Sequence, residues 1–124
     1  VIEGDARPIL ERLLAPASVT AYHLLFPDPW WKRRHHKRRL FHPETLAFLH
    51  RTLVDGGELF ARTDVPAYAD LMEETVARQG GFRLAGTSLF DPALAALPRS
   101  HREKKCQELG IPVFRFRFVK EPPR

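Results

Sequence analysis

The sequence has almost nothing that would fix a structure covalently. Its 124 residues include one cysteine, Cys106. An internal disulfide and a multi-cysteine metal cage are therefore excluded, and the pattern suits a reducing compartment. No apolar run approaches the length needed to span a bilayer, and no signal-peptide pattern opens the chain. The expectation is a soluble, cytoplasmic protein with no membrane role. Internal repeats and low-complexity linkers are also missing, so one domain over residues 1–124 is the simplest parse. The chain does not begin with methionine. Val1-Ile2-Glu3-Gly4-Asp5 reads as the end of a strand running into a turn, which leads us to expect a fragment. A glycine-rich loop after a strand is absent too, because Gly80-Gly81 follows a helical pattern, the wrong context for such a loop.

What is present divides into a core and a charge cluster. Hydrophobic residues make up 44% of the chain, enough to build a core, and the formal net charge is +5. That excess is concentrated: Lys32, Arg33, Arg34, Lys37, Arg38 and Arg39 fall within one short segment. A field of that density attracts nucleic acid or polyphosphate first, and acidic membrane surfaces second. Taken alone, such a run is more often a solvated face or a generic nucleic-acid patch.

Periodicity gives the order of elements. Ile9, Leu10, Leu13 and Leu14 recur at helical spacing after Pro8. Thr20 to Phe26 is a near-continuous apolar run, the pattern of a strand buried on both faces. Pro27 and Pro29 stop it, since neither donates a ladder hydrogen bond. A short helix is predicted from Pro43 with Leu46, Leu49 and Leu53 on one face. Asp55-Gly56-Gly57 reads as a turn and Glu58 to Thr63 as a second interior strand. Asp64 is a plausible N-cap for a helix whose buried stripe is Val65, Tyr68, Met72 and Val76. Phe82 to Ser88 is a third strand, Phe90 to Leu109 a polar loop, and Val113 to Val119 a last strand with Phe114, Phe116 and Phe118 on its apolar face. This alternation indicates an α/β sheet. In such sheets ligands gather outside the carboxyl ends of the strands, where Asp28, Asp64 and Asp5 are predicted to lie.

The stretch Phe26-Pro27-Asp28-Pro29-Trp30-Trp31-Lys32-Arg33-Arg34-His35-His36-Lys37-Arg38-Arg39 resembles the signature of bacterial tRNA (guanine-N7)-methyltransferases. Gly4-Asp5-Ala6, Gly56-Gly57 with Thr63-Asp64, and Ser100-His101-Arg102-Glu103 resemble further motifs of that family, in order. In the last of these, Arg102 replaces the family's aromatic. The resemblance implies the C-terminal portion of a Rossmann-like S-adenosylmethionine-dependent methyltransferase sheet, mostly parallel with an antiparallel final strand. The glycine-rich cofactor half would lie upstream of Val1, so the isolated chain is expected to be inactive or crippled. It also implies methyl transfer from S-adenosylmethionine to N7 of a guanine in the tRNA variable loop, with no metal.

By family position, Asp28 is the catalytic residue, placed where cofactor and base meet, and Asp5 and Ala6 join it in binding the cofactor. Lys32, Asp64, Ser100 and Glu103 bind the target nucleotide, and Arg33, Arg34, Lys37, Arg38 and Arg39 hold tRNA phosphates. Carboxylates suit guanine because its N1 and N2 edge presents only donors; adenine would oppose them with an acceptor. N7 is an exposed lone pair, so the chemistry needs alignment rather than a strong general base.

Plainer readings stand beside these. Asp64 as an N-cap is as good a reading on pattern alone, Asp5 is an ordinary turn residue, and Ser100 and Glu103 lie in what reads as a solvated loop. Trp30 is better read as packing on the sheet edge, while Trp31 could equally stack on a base. His35, His36, His42 and Cys106 fit no zinc spacing. A monomer is favoured, although no residue pattern fixes the oligomeric state. The alternatives are a non-catalytic basic RNA-binding module and an adenine-N6 amino-methyltransferase. The latter is disfavoured because its second proline is missing after Asp28-Pro29.

Overall fold

Four strands and three helices are seen in a computed structural model that describes residues 14–26, 41–87 and 101–121. In chain order they are β1 (Val19–Leu25), α1 (Pro43–Thr52), β2 (Leu53–Thr63), α2 (Pro66–Gln79), β3 (Phe82–Thr87), α3 (His101–Glu108) and β4 (Phe114–Lys120). The strands form one sheet in the order β1-β2-β4-β3. β1 pairs with β2 in parallel, while β4 runs antiparallel to both β2 and β3. Strands β1, β2 and β3 therefore share a direction and only β4 is reversed. Pair by pair the described sheet is mixed.

Alternation along β2 and β4 decides which side carries the core. Leu59, Ala61, Phe116 and Phe118 face α1 and α2 and pack with Leu46, Leu49, Tyr68 and Met72. Leu46, Leu53 and Leu59 are fully buried. Each such side chain stabilises the fold by about 1.5–3 kcal/mol as an upper figure. The Phe116 and Phe118 rings stack at 5.8 Å, so the apolar face read from the alternating phenylalanines is core.

α1 starts where Pro43 fits a first turn, and His42 Nδ1 accepts from the Glu44 N–H at 3.3 Å. Its C-terminal carbonyls would otherwise lack partners. Those of Arg51 and Thr52 accept from Ala17 N–H at 3.0 Å and Ser18 N–H at 2.8 Å, in the segment leading into β1. The same end is tied to β1 by a 2.7 Å hydrogen bond between the Tyr22 and Thr52 hydroxyls. These bonds fix the entry of β1 and hence where its carboxyl end emerges.

Several expectations are corrected. β1 is half-buried rather than buried on both faces, with Leu25 45% exposed, because among the described residues it pairs on one side only. Asp55-Gly56-Gly57 lies inside β2 rather than between helix and strand, and Leu53 begins that strand. Val19 and Ala21 pair with Leu53 and Glu58, so the extra residues of β2 sit at a shift of register. Gly56 takes a φ of +74°, and a Cβ on Gly57 would lie 2.7 Å from the Val54 carbonyl oxygen; both positions need glycine. The polar stretch to Leu109 contains helix α3. The helix expected at Ile9, Leu10 and Leu13 lies outside the described residues.

Candidate active site at the carboxyl edge of the sheet

The carboxyl ends of β1 and β2 are neighbours by register. Leu25 pairs with Arg62, and the Phe26 N–H donates to the Arg62 carbonyl at 2.8 Å. The residues just beyond, Phe26 and Asp64, therefore share one rim. Phe26 has a φ of +50°, a left-handed conformation that costs a bulky residue on the order of 1–3 kcal/mol. Strain of this kind persists only where the surroundings hold it. Here it aims an aromatic ring over the rim, immediately before Pro27 and Asp28.

Asp64 does not cap α2. The N-cap position falls to Val65, with no side-chain capping bond, and Pro66 follows in the first turn. The Asp64 carboxylate instead meets α3: Arg102 Nη2 donates to its two oxygens at 3.1 and 3.2 Å. The same guanidinium lies over the Phe26 ring, 5.2 Å from the centroid, within cation–π range. One turn further along α3, the Cys106 thiol reaches Asp64 Oδ2 at 3.8 Å. Burial pushes this thiol's pKa up, and the nearby Asp64 charge adds to the effect.

Glu103, the neighbour of Arg102, faces the other way and is buried. Its Oε2 accepts from Arg62 Nη1 at 2.8 Å and its Oε1 from the Arg115 guanidinium. Arg62 and Arg115 are direct cross-strand partners on β2 and β4, a like-charge pairing that would be repulsive by itself. They lie on the sheet face opposite the α1/α2 core, since Ala61 and Phe116 point into that core. One carboxylate between them cancels the repulsion and pins α3 to the sheet. Beside them Arg117 donates to Glu58 at 3.2 Å, and His23 stacks on Phe60 at 4.7 Å. Glu103 is therefore not the solvated loop residue of the plainer reading.

Of the site residues expected from sequence, the structure describes Asp64 and Glu103 and brings both to the same helix, one on each side of it. Asp5, Ala6, Asp28, Lys32 and Ser100, and the phosphate-binding set Arg33, Arg34, Lys37, Arg38 and Arg39, lie outside the described residues. Phe26, Arg62 and Arg115 were not singled out from the sequence. A parity signal was there to be read: Glu58, Phe60 and Arg62 alternate along β2 as Arg115 and Arg117 do along β4. Among the described residues no group of three or more His, Cys, Asp or Glu could hold a metal ion. None of the described helices is long and apolar enough to cross a membrane.

Comparison with known proteins now gives the chain its class. It superposes on the crystal structure of the 16S rRNA methyltransferase KamB with a TM-score of 0.56 and 19% identity, over 90% of this chain and 60% of that one. Similarity at such low identity shows the fold alone, a Rossmann-like α/β sheet. Residues 1–116 match the family described as "Putative methyltransferase". The chain belongs to this family. It is 38% identical over 97% of its length to the tRNA (guanine-N(7)-)-methyltransferase of Mycolicibacterium paratuberculosis, covering 46% of that protein. It is 40% identical over 97% of its length to the enzyme of the same name from Myxococcus xanthus, covering 58% of that one. The chain thus spans about half the length of the curated relatives it matches.

Proposed function

We propose that this chain forms the guanine and tRNA side of a tRNA (guanine-N7)-methyltransferase catalytic domain. The observation that carries the reading is the rim shared by Phe26 and Asp64. A carboxylate stands at the end of β2, beside the strand end that leads into Asp28, in a chain whose curated relatives bear that name.

S-adenosylmethionine, when bound, supplies the methyl group on a sulfonium centre. Its methyl would pass to the guanine N7 lone pair, with the S–C bonding pair leaving on sulfur. N7 carries no proton, so none has to be removed. What remains for the protein is alignment, which can supply on the order of 7–11 kcal/mol when geometry is good.

Asp64 accepts from the N1–H and N2–H donors of the base, a pairing that adenine cannot reproduce. Ser100 adds a hydroxyl contact, and Lys32 holds the target nucleotide. Arg33, Arg34, Lys37, Arg38 and Arg39 grip tRNA phosphates, which makes binding salt-dependent. Asp28 stands between cofactor and base, and Asp5 and Ala6 bind the cofactor. Glu103, expected from the sequence to read guanine alongside Asp64, has its oxygens engaged by Arg62 and Arg115. In this arrangement it acts from behind, positioning the helix that carries Arg102 and begins just after Ser100.

The test is methyl transfer to tRNA, with the modified atom mapped by nucleoside mass spectrometry. With the chain joined to a glycine-rich cofactor-binding half, N7-methylguanosine is expected, and near-complete loss in Asp28→Ala with the fold intact. Methylation at adenine N6, or full activity in the variant, would remove the assignment.

A further inference from the structure

The Asp64 carboxylate is already occupied, and by a group that resembles the ligand proposed for it. Guanine contains a guanidine unit, N1–C2–N2, whose N–H bonds point along one edge of a flat ring. Arg102 presents a flat guanidinium whose Nη2 donates to both Asp64 oxygens at 3.1 and 3.2 Å, and whose Cζ lies 5.2 Å from the Phe26 ring centroid. A carboxylate that accepts N–H donors from a planar group, beside an aromatic face, is the seat a guanine needs. In the free protein that seat is filled by a side chain of the same chain.

We propose that Arg102 is an internal surrogate for the target base: it holds the Asp64–Phe26 seat closed, and guanine must displace it to bind. This rests on the reading of Asp64 as the guanine-binding carboxylate and goes beyond it, naming Phe26 as the stacking surface and Arg102 as the competitor. The exposure of the pair fits a displaceable contact. The Arg102 side chain is 58% exposed and that of Asp64 17%, whereas the Glu103 side chain one residue on is 1% exposed. A half-exposed ion pair is weak enough to be exchanged for a ligand. When the binding-competent state is only a fraction of the population, apparent affinity falls by that fraction. For a pair of this strength the effect is about two- to five-fold.

The experiment measures steady-state methyl transfer to tRNA N7 at several salt concentrations, with the wild-type chain, R102M and R102Q each joined to a glycine-rich cofactor-binding half. Both variants are expected to lower KM about two- to five-fold with kcat preserved and the salt slope unchanged. In an Asp64→Ala background the R102M effect is expected to vanish, because the competed site is gone. A KM that rises, with a salt slope shallower by about one, would make Arg102 a phosphate contact and overturn the proposal. An unchanged KM in both variants would also overturn it, since nothing would then be displaced. The two readings fail separately. If the joined wild-type chain produces no N7-methylguanosine, the functional assignment falls and takes this inference with it. If it does, the variants bear on Arg102 alone.

Discussion

Asp64 and Glu103 are both carboxylates bound to arginine, and they meet the same short helix at adjacent residues, yet they occupy opposite environments. Glu103 is enclosed between Arg62 and Arg115, which face each other across β2 and β4. Asp64 is at the rim and pairs with an arginine that is mostly in solvent. The interaction type is the same, and burial decides what it does. A buried charge cannot lose its partner without leaving an uncompensated ion in a poorly solvated place. An exposed one can exchange its partner for water or a ligand at little cost. The inner pair is therefore architecture, and the outer pair is where a ligand can compete.

Breaking the inner pair gives the largest effect. Glu103→Ala removes the buried carboxylate that Arg62 and Arg115 share, and a loss of about 3–5 kcal/mol is expected in chemical denaturation. A loss below about 1 kcal/mol would show that water reaches the two guanidiniums and that Glu103 is no more fixed than Asp64. Breaking the outer pair is expected to reverse the balance between stability and activity. Asp64→Ala should change stability by no more than about 1 kcal/mol. Loss of charged hydrogen bonds to the base, about 1.5–3 kcal/mol, should lower kcat/KM for methyl transfer roughly 10- to 150-fold. If Asp64→Ala unfolds the protein while Glu103→Ala only slows it, the roles assigned to the two acids are exchanged.

The sequence made the outer position legible and hid the inner one, for a physical reason. Asp64 follows a strand in an α/β pattern, and the rule that ligands gather at carboxyl ends picks it out directly. The helices that begin at Pro43 and Pro66 and the apolar parity of Phe114, Phe116 and Phe118 follow from local periodicity in the same way, whereas the reversed last strand was implied by the family resemblance alone. The ion pairs depend on contacts between residues 41 positions apart in the case of Arg62 and Glu103, and no local window contains both partners. Helix α3 was missed because His101–Glu108 has one buried apolar residue, Cys106. Its amphipathic signal is carried by a buried glutamate, which a hydrophobicity pattern counts as solvent-facing. The register shift in β2 was read as a turn because Asp-Gly-Gly gives the same local signal in either setting. Only pairing with β1 separates the two.

α2 carries an ion pair that is neither buried nor part of a site. Arg78 and Glu74 lie four residues apart on the outer face of that helix, with side chains 78% and 55% exposed. The geometry suits an interaction, but both groups stay in water, where screening and side-chain entropy offset most of the Coulomb gain. Glu74→Ala also trades a good helix former for a slightly better one, which further offsets the lost pair. The expected change in stability is therefore within about 0.5 kcal/mol, and methyl transfer is expected to be unaffected. Repeating the denaturation at high salt checks the cause. The small difference between Glu74→Ala and wild type should shrink towards zero, while the deficit of Glu103→Ala should persist, because a buried pair is poorly screened. If the two respond to salt alike, burial is not what separates the inner pair from the surface.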